Sequence, residues 1–562
     1  QAVAIKGNRL AVAISNDKTE HGFVRIFRWN PSNERLKLID SATVGFLPDD
    51  IAWRGNYVVT ANEGEPNDFY GVEDGVDPIG SISVLTMDGS KVAENDEITA
   101  SGSGFTRRQL RQAGVRLDGL EGGSIDQLLE PEFVSIDPSG NFATVTLQEN
   151  NAIAVVDIAA ASVTAILPLG EKDHNLPGNE FDPSNQDGID GNFQNFPILG
   201  LYMPDALTTF TVGGVEYIAT ANEGDGRDDF AGFADETRGA DLEVDFTLDT
   251  EDPTPETSLY TSTQLNDNAI LGRLKFVTSD YDIARGDTDG DGDVDQLYSF
   301  GSRSFTIWTT AGVPVFDSGD EFEREMLARG MWEEARSDDK GPEPESIVFG
   351  IVNGMPMLFV GLERTDAIMV YDVSNPMAAA LVDVIDVATE SGIGAGAPEG
   401  LAFIPAAANA TGRDVLAVTS EGDGALSLFA IEAGTASVTT FGQGCPSGQP
   451  LGLASNAPML GGSWDLIASN FAAPASLCTF WFSENALNPA IDLAPIGAAG
   501  CFALVDGNLG SVGVSVSSGA AAYSIPVPHP PALLSYSLAS QVSAFSGGNF
   551  TTSNGLVGVV GN

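Results

Sequence analysis

The sequence predicts an all-β protein, with a seven-bladed β-propeller at residues 1–440 and a small β-sandwich at residues 441–562. Three observations support this prediction: a repeated strand motif in the first part, an abrupt change in charge near Phe441, and short alternating strands in the tail. The 562 residues suffice for one large repeat domain and a smaller domain. Six blades are the second choice for the repeat count.

The repeat unit opens with a proline followed by an acid, and its second strand ends on another acid. An alternating strand follows most units, as in Ala367-Ile-Met-Val-Tyr371. Repeated β-meanders of this kind are typical of propeller blades. The opening acids are Asp49, Glu132, Asp205, Glu345 and Glu399, and the closing acids are Glu63, Glu149, Glu223, Glu363 and Glu421.

Two further units are needed to reach seven blades. Residues 270–318 supply a degenerate sixth unit, whose clearest strand is Arg303-Ser-Phe-Thr-Ile-Trp308. Residues 1–45 supply a seventh unit that lacks its opening strand. We expect Ser437-Val-Thr-Thr-Phe441 to provide that strand, which would close the ring and hide both sheet edges.

The opening acids are predicted to form a ring, because the innermost strands of a propeller line a central channel. Carboxylates at such a ring raise one another's pKa unless cations neutralise them. Basic residues close to the motifs in sequence are Arg227, Arg303, Lys340 and Arg364. One interpretation is structural, with salt bridges between blades and capped turns. The functional alternative makes Asp205, Glu345, Glu399 and Arg364 candidate catalytic residues.

A calcium loop is the strongest local motif in the chain. Acids occupy relative positions 1, 3, 5, 7 and 9, with Gly292 at position 6 to permit a sharp turn. Position 12 is Tyr298 rather than the bidentate Glu of an EF-hand, so the loop is similar to the thrombospondin-repeat or dockerin kind. We expect calcium to order this insertion near residues 287–298, the alternative being a solvated acidic turn. Its acids are Asp287, Asp289, Asp291, Asp293 and Asp295.

The charge balance narrows the class of partner. The chain has 79 acidic and 26 basic residues, a net charge of −53, which repels nucleic acid and anionic lipid. The sequence lacks an apolar run long enough to span a bilayer. It begins at Gln1 rather than Met, from which we expect a processed, exported chain.

The tail differs sharply from the rest of the chain. It contains no Lys or Arg and only Asp465, Glu484, Asp492 and Asp506 as acids, which leaves a net charge of −49 for residues 1–440. Its three cysteines, Cys445, Cys478 and Cys501, match neither a zinc site nor a CxxC pair. We expect a Cys445–Cys501 disulfide, although sequence alone does not fix the pairing.

Several motifs resemble those of the choice-of-anchor I family of exported bacterial β-propeller proteins. They are Ala61-Asn-Glu-Gly-Glu-Pro66, Leu147-Gln-Glu-Asn-Asn151, Thr220-Ala-Asn-Glu-Gly-Asp225, Ser337-Asp-Asp-Lys-Gly-Pro-Glu-Pro-Glu345 and Pro398-Glu-Gly-Leu401. The resemblance covers residues 1–435 or so and implies a secreted or surface-held protein with a variable C-terminal module. Some members are described as alkaline-phosphatase-like. The tail resembles a module of exported proteins in which a cysteine pair is frequent, which supports Cys445–Cys501.

We therefore expect a secreted structural protein, a calcium-stabilised subunit of a surface layer, fibre or matrix. Its partner would be a second copy of itself or another surface component, contacted through the low-charge tail, because association there presses few like charges together. The alternative is an extracellular calcium-dependent phosphoesterase that uses carboxylates of the propeller channel. HExxH, GxSxG, Walker and dinucleotide motifs are missing from the sequence.

Overall fold

The computed structural model describes most of the chain and divides it into two compact units. Strands make up 49% of it and helices 10%, which confirms the predicted all-β class. One unit comprises Gln1–Ala379 and Val384–Ala430, and the other comprises Ala380–Asp383 and Ile431–Asn562. The described residues are 2–227, 230–242, 262–288, 294–392, 396–431, 437–441, 445, 451–459, 462–471, 477–484, 486–487, 490–496, 498, 501–505, 507–527, 536–546 and 549–560.

In the described part of residues 2–431, six antiparallel sheets follow one another and are numbered 1 to 6 in chain order. Sheet 1 comprises Val3–Lys6 (β1), Arg9–Ile14 (β2), His21–Asn30 (β3) and Arg35–Phe46 (β4), and sheet 2 comprises Pro48–Arg54 (β5), Tyr57–Asn62 (β6), Ser81–Asp88 (β7) and Lys91–Ile98 (β8). Sheet 3 comprises Pro131–Ile136 (β9), Phe142–Leu147 (β10), Ala152–Asp157 (β11) and Ser162–Pro168 (β12).

Among the remaining sheets, sheets 4 and 5 have four described strands each, and sheet 6 has three. Sheet 4 comprises Leu207–Val212 (β15), Val215–Asn222 (β16), Ser304–Thr309 (β20) and Pro314–Asp317 (β21). Sheet 5 comprises Pro344–Val352 (β22), Met355–Leu362 (β23), Ala367–Asp372 (β24) and Ala380–Asp386 (β25). Sheet 6 comprises Pro398–Ile404 (β26), Asp414–Ser420 (β27) and Ala425–Ile431 (β28).

The first strands of consecutive sheets are neighbours in space. β1 packs against β5, β5 against β9, β9 against β15, β15 against β22, and β22 against β26. Four of these strands begin at a proline. Proline is accepted as the first residue of an edge strand, because the N–H that it lacks is not needed there for pairing. Apolar side chains fill the space between neighbouring sheets, as where Val59 and Val84 of sheet 2 share a core with Val134 and Val145 of sheet 3.

A further sheet has five strands. Three of them come from the long insertion between β16 and β20, and two come from the segment before β15. This sheet contains Glu171–Asp173 (β13), Leu199–Leu201 (β14), Glu236–Arg238 (β17), Lys275–Val277 (β18) and Tyr298–Ser299 (β19), in the order β13-β14-β19-β18-β17. The helices are short: Arg107–Ala113, Ile125–Leu128, Ser262–Asn266, Asp280–Gly286, Glu321–Arg329 and Val387–Ser391. Single 3-10 turns lie at Gly239–Asp241, Glu334–Arg336, Glu363–Thr365, Ala406–Ala408 and Ala494–Ile496.

Two predictions about the repeat units are wrong. Residues 304–309 do not open a separate unit, because this strand pairs with β16 and completes the sheet that follows Asp205. The insertion separates β16 from β20 in sequence, and for this reason the sequence pattern predicts two units where the structure has one sheet. Sheet 1 has its own opening strand, since β1 pairs with β2, and Ser437–Phe441 pairs instead with a strand of the second unit.

The second unit contains two main sheets around one core. Ser437–Phe441 (β29), Leu477–Ser483 (β32), Gly510–Ser515 (β35), Ser537–Ser546 (β37) and Asn549–Val559 (β38) form a sheet in the order β29-β38-β37-β32-β35. Gly452–Ser455 (β30), Ser463–Ser469 (β31) and Ala520–Pro526 (β36) form the other, and Ile491–Asp492 (β33) pairs with Phe502–Ala503 (β34). Trp464 and Leu466 of β31 share the core with Phe480 and Val542 of the larger sheet. Among the described residues, no helix is long and apolar enough to cross a membrane.

Candidate functional site

The five opening acids come from the first strands of sheets 2 to 6 or the residues just before them. Burial, followed by the charges of Glu345, Glu223, Asp49 and Glu399, raises the pKa of Asp205 well above its usual value. The pKa of Glu345 rises to about 9, again chiefly through burial. Opening acids from different sheets therefore raise one another's pKa, as expected for the predicted carboxylate ring.

The four candidate catalytic residues separate into two groups. Asp205, Glu345 and Glu399 belong to the carboxylate ring, and the charge of Glu399 contributes to the raised pKa values of both other acids. Arg364 is held elsewhere: its Nε lies 3.0 Å from Glu343 Oε2 and its Nη1 lies 2.7 Å from Glu363 Oε1. The arginine therefore already neutralises two carboxylates.

A first glutamate triad lies between sheets 2 and 3 and consists of Glu63, Glu130 and Glu149. Glu63 follows β6, Glu130 precedes β9 and Glu149 follows β10. One oxygen from each carboxylate lies within 4.8 Å of the others. Arg227 Nη2 lies 2.7 Å from Glu130 Oε2, and both side chains are almost fully buried. Burial raises the pKa of Glu63 and of Glu149 well above the usual value, with neighbouring carboxylates adding to the effect.

A second glutamate triad lies between sheets 4 and 5 and consists of Glu223, Glu343 and Glu363. It also has one oxygen from each carboxylate within 4.8 Å of the others. Lys340 Nζ lies 2.9 Å from Glu223 Oε1 and 3.9 Å from Glu343 Oε2. Arg336 Nε donates to Glu343 Oε1 at 2.9 Å. Together with Arg364, three basic side chains therefore neutralise this triad.

The two triads occupy equivalent places in the repeat. In each, one glutamate closes the second strand of a sheet, and the next sheet supplies a glutamate before its opening proline and another after its second strand. The closing acids were predicted, but Glu130 and Glu343 were not. Their signal is the sequence Glu-Pro-Glu, which occurs at Glu130-Pro131-Glu132 and at Glu343-Pro344-Glu345.

Other buried charges are paired in ways that the sequence did not reveal. Arg116 is fully buried and contacts Asp118, Asp235 and Asp282 at 3.0, 2.5 and 2.8 Å. Arg303, predicted to neutralise the motif acids, pairs with Glu323 at 2.8 Å instead. Apart from Asp118, which is two residues from Arg116, these partners lie 20 or more residues away in sequence.

The calcium loop is described only at its two ends, since Asp289, Asp291 and Asp293 lie outside the described residues. Asp287 follows the helix Asp280–Gly286, and Asp295 is 3% exposed. Asp295 Oδ2 accepts hydrogen bonds from Thr288 N and Oγ1, both at 2.7 Å, while Asp295 Oδ1 is buried and has no hydrogen-bond partner among the described residues. The Asp295 N–H donates to Gly286 O at 2.9 Å, which brings the loop ends together.

The three cysteines of the tail and His174, which follows β13, are buried and have structural surroundings. Cys445 and Cys501 form a disulfide, and Cys478 is a buried free thiol. His174 is 2% exposed, and its Nδ1 lies 2.9 Å from Asn179 O. Burial, with the nearby Lys172 charge, lowers the pKa of His174 to about 3, so the ring is neutral at physiological pH.

The chain belongs to the choice-of-anchor I family, because the model of the choice-of-anchor I domain matches residues 1–376. This result confirms the resemblance seen in the repeat motifs. It covers most of the first unit, including both glutamate triads.

Two relatives and one solved structure illustrate the similarity. The chain is 24% identical over 190 residues to Gigasin-3a of Magallana gigas, covering 29% of this chain and 65% of the relative. It is 28% identical over 281 residues to the mesenchyme-specific cell surface glycoprotein of Strongylocentrotus purpuratus, covering 44% and 35%. The chain thus spans less than two thirds of either relative. The Cps50 (Swd1) β-propeller domain of Myceliophteria thermophila superposes with a TM-score of 0.34 at 7% identity, over 76% of this chain and 83% of that one.

Proposed function

We propose that this protein is an exported structural component of a cell surface or extracellular matrix. In this proposal a calcium-stabilised six-bladed propeller is joined to a C-terminal β-sandwich that associates with a second copy of the chain. Membership of the choice-of-anchor I family supports a surface or exported location. The name of one relative, a cell surface glycoprotein, supports the same location.

The six-bladed propeller rests on the order of the first strands. Six sheets whose first strands are neighbours in chain order are what blades around a common axis require. The sandwich rests on the core of the second unit, which side chains from both of its main sheets share.

The observation that carries the self-association proposal is the strand β35. It ends the larger sheet of the second unit and, within the described residues, pairs on one side only, with β32. Its sequence, Gly-Ser-Val-Gly-Val-Ser, contains neither a charge nor a proline. An edge strand without such blocking residues is a template for pairing with another chain. Leu477 and Trp481 of β32 lie beside it, 56% and 38% exposed.

Charge favours the same surface as the contact between copies. Residues 1–440 carry a net charge of −49, whereas residues 441–562 carry four acids and no bases. Two copies that met through their acidic parts would repel each other, while contact through the nearly uncharged part costs little. Pairing of β35 with the opposite edge of the larger sheet, β29, in the next copy would add chains one after another, which suits a fibre or layer.

Calcium is part of this proposal because of the loop at Asp287–Asp295. Asp295 Oδ1, which is buried and has no partner in the described part of the chain, is an oxygen that a calcium ion would satisfy. An ion there would tie the two ends of the insertion together.

Electron microscopy of the native chain with calcium and after chelation tests the proposal. We expect ordered filaments or sheets that loosen when calcium is removed. Ser511→Lys with Ser515→Lys places two charges on the exposed face of β35 and should abolish the order. Ser32→Lys with Asn33→Lys adds the same charge to an exposed turn of the first unit and should leave assemblies intact.

Monodisperse particles in every condition would refute the structural proposal. The runner-up, a calcium-dependent phosphoesterase, is supported by the convergence of Asp205, Glu345 and Glu399. It predicts calcium-dependent turnover of a chromogenic phosphate ester by the wild-type chain, lost in Glu345→Gln and Glu399→Gln.

A further inference from the structure

We propose that the first glutamate triad, Glu63, Glu130 and Glu149, binds a divalent cation of the calcium type between sheets 2 and 3. This site is separate from the loop at residues 287–298. It stands independently of the surface function, because it concerns the inside of the first unit.

The balance of charge is the first argument. Three carboxylates lie together, and among the described residues only Arg227 forms an ion pair with them. The group therefore retains two uncompensated negative charges when all three carboxylates are ionised. A buried charge is stable only when it is paired, and one divalent cation supplies the missing charge.

An unsatisfied oxygen is the second argument. Glu130 is 1% exposed, and its Oε2 faces Arg227. Among the described residues no N–H or hydroxyl donor reaches its buried Oε1, and the other side chain that hydrogen-bonds to Glu130 is the Glu149 carboxyl, which can donate only when it is protonated. Buried polar atoms in folded proteins have partners, so an oxygen of this kind, within a group of three carboxylates, indicates a missing ligand. An all-oxygen set is the type of ligand that calcium prefers.

The second glutamate triad provides the internal comparison. Its Lys340 ammonium lies 2.9 Å from Glu223 and 3.9 Å from Glu343, so a cation of the chain itself sits among these carboxylates. Three residues before Glu343 the chain has Lys340, and three residues before Glu130 it has Gln127. The Gln127 amide donates to Asp77 O at 2.8 Å rather than to the triad. The first triad thus lacks the lysine that balances the second.

Isothermal titration calorimetry of the chelator-stripped full chain with calcium chloride tests the proposal. We expect Glu130→Gln to bind one ion fewer per chain than the wild type, because it removes a ligand and a charge. The matched change in the second triad, Glu343→Gln, should leave the number of ions unchanged. Asp295→Asn should remove the loop ion only, so the double variant Glu130→Gln with Asp295→Asn should lose both ions.

A second variant guards against a folding defect. Glu63→Gln changes the partly buried member of the triad and should also lose one ion while its circular dichroism spectrum matches that of the wild type. The proposal is overturned if folded Glu130→Gln and Glu63→Gln both bind as many calcium ions as the wild type. It is equally overturned if the only ion bound by the wild type disappears in Asp295→Asn.

Discussion

The two glutamate triads occupy the same position in the repeat but differ in what balances their charge. Around the second triad, Lys340, Arg336 and Arg364 neutralise Glu223, Glu343 and Glu363. Around the first triad, the ion pair of Arg227 with Glu130 is the one ion pair found among the described residues. The same acidic motif can therefore be neutralised in different ways at different places in the repeat. The basic residues that the intervening segments supply decide whether each copy is a salt bridge or a place for a metal ion.

The largest effect should come from removing the basic side chain of the first triad. Arg227→Met removes the ion-pair partner of the buried Glu130 and also removes the 2.9 Å hydrogen bond to Asp118 O. Breaking a buried ion pair by removing one partner costs about 3–5 kcal/mol, so we expect that loss of unfolding free energy without calcium. Calcium should restore part of it, as measured by urea unfolding with and without chelator. Arg227→Lys keeps the charge and should lose less; equal losses would show that the charge is unimportant.

Breaking the second triad should be somewhat less costly and insensitive to calcium. Glu343→Gln removes the carboxylate that Arg336, Lys340 and Arg364 share. Because Arg336 and Arg364 are partly exposed and screened by water, we expect a loss of about 2–3 kcal/mol. Thermal unfolding should show the same deficit with calcium and with chelator. A deficit that calcium repairs would contradict the assignment of this triad to the chain's own basic residues.

A smaller effect should make the second triad resemble the first. Lys340→Met removes the ammonium from between Glu223 and Glu343, leaving a site with excess negative charge. Calcium should then stabilise this variant more than the wild type, by about 1 kcal/mol at a concentration several times the dissociation constant. The readout is the shift of the melting temperature with calcium concentration. Identical shifts in the two proteins would show that lysine and calcium do not substitute for each other.

The last prediction concerns Asp50, a half-buried acid that forms no ion pair among the described residues. Asp50 accepts a hydrogen bond from Val134 N at 2.9 Å, and burial raises its pKa to about 7. The unfolded chain releases this proton near pH 4, so the folded state holds more protons between about pH 4 and 7. Stability should therefore fall as the pH rises through that range. Asp50→Asn should flatten the fall by about 1 kcal/mol or more, as measured by urea unfolding at pH 5 and pH 8. An unchanged slope would remove Asp50 as its source.

The sequence predicted the all-β class because the strand motif repeats at residues that keep their spacing within each sheet. The same motif predicts the wrong sheet for strands wherever an insertion or a short strand interrupts the spacing between repeats. The insertion separates β16 from β20, which made sheet 4 look like two units. The short β1 carries only four residues, so its pairing with β2 left little periodic signal.

The candidate site was predictable in part for the same reason. Closing acids such as Glu63 and Glu149 recur at fixed positions, and the structure brings them into the triads. Glu130 and Glu343 each precede an opening proline. The other repeats have Leu47, Met203 and Ala397 at this position, so an acid there is not part of the repeated motif and was not predicted. Arg227 and Lys340 come from irregular segments, and only the folded chain shows which carboxylate each one contacts.

The most direct test of this account is a high-resolution structure of the chain prepared in calcium. We expect an ion bound by Glu63, Glu130 and Glu149, with calcium–oxygen distances of about 2.3–2.6 Å. At the second triad we expect the Lys340 ammonium instead of an ion. A structure with the loop ion present but no ion at the first triad, where Glu130 and Glu149 keep their mutual hydrogen bond, would contradict the account.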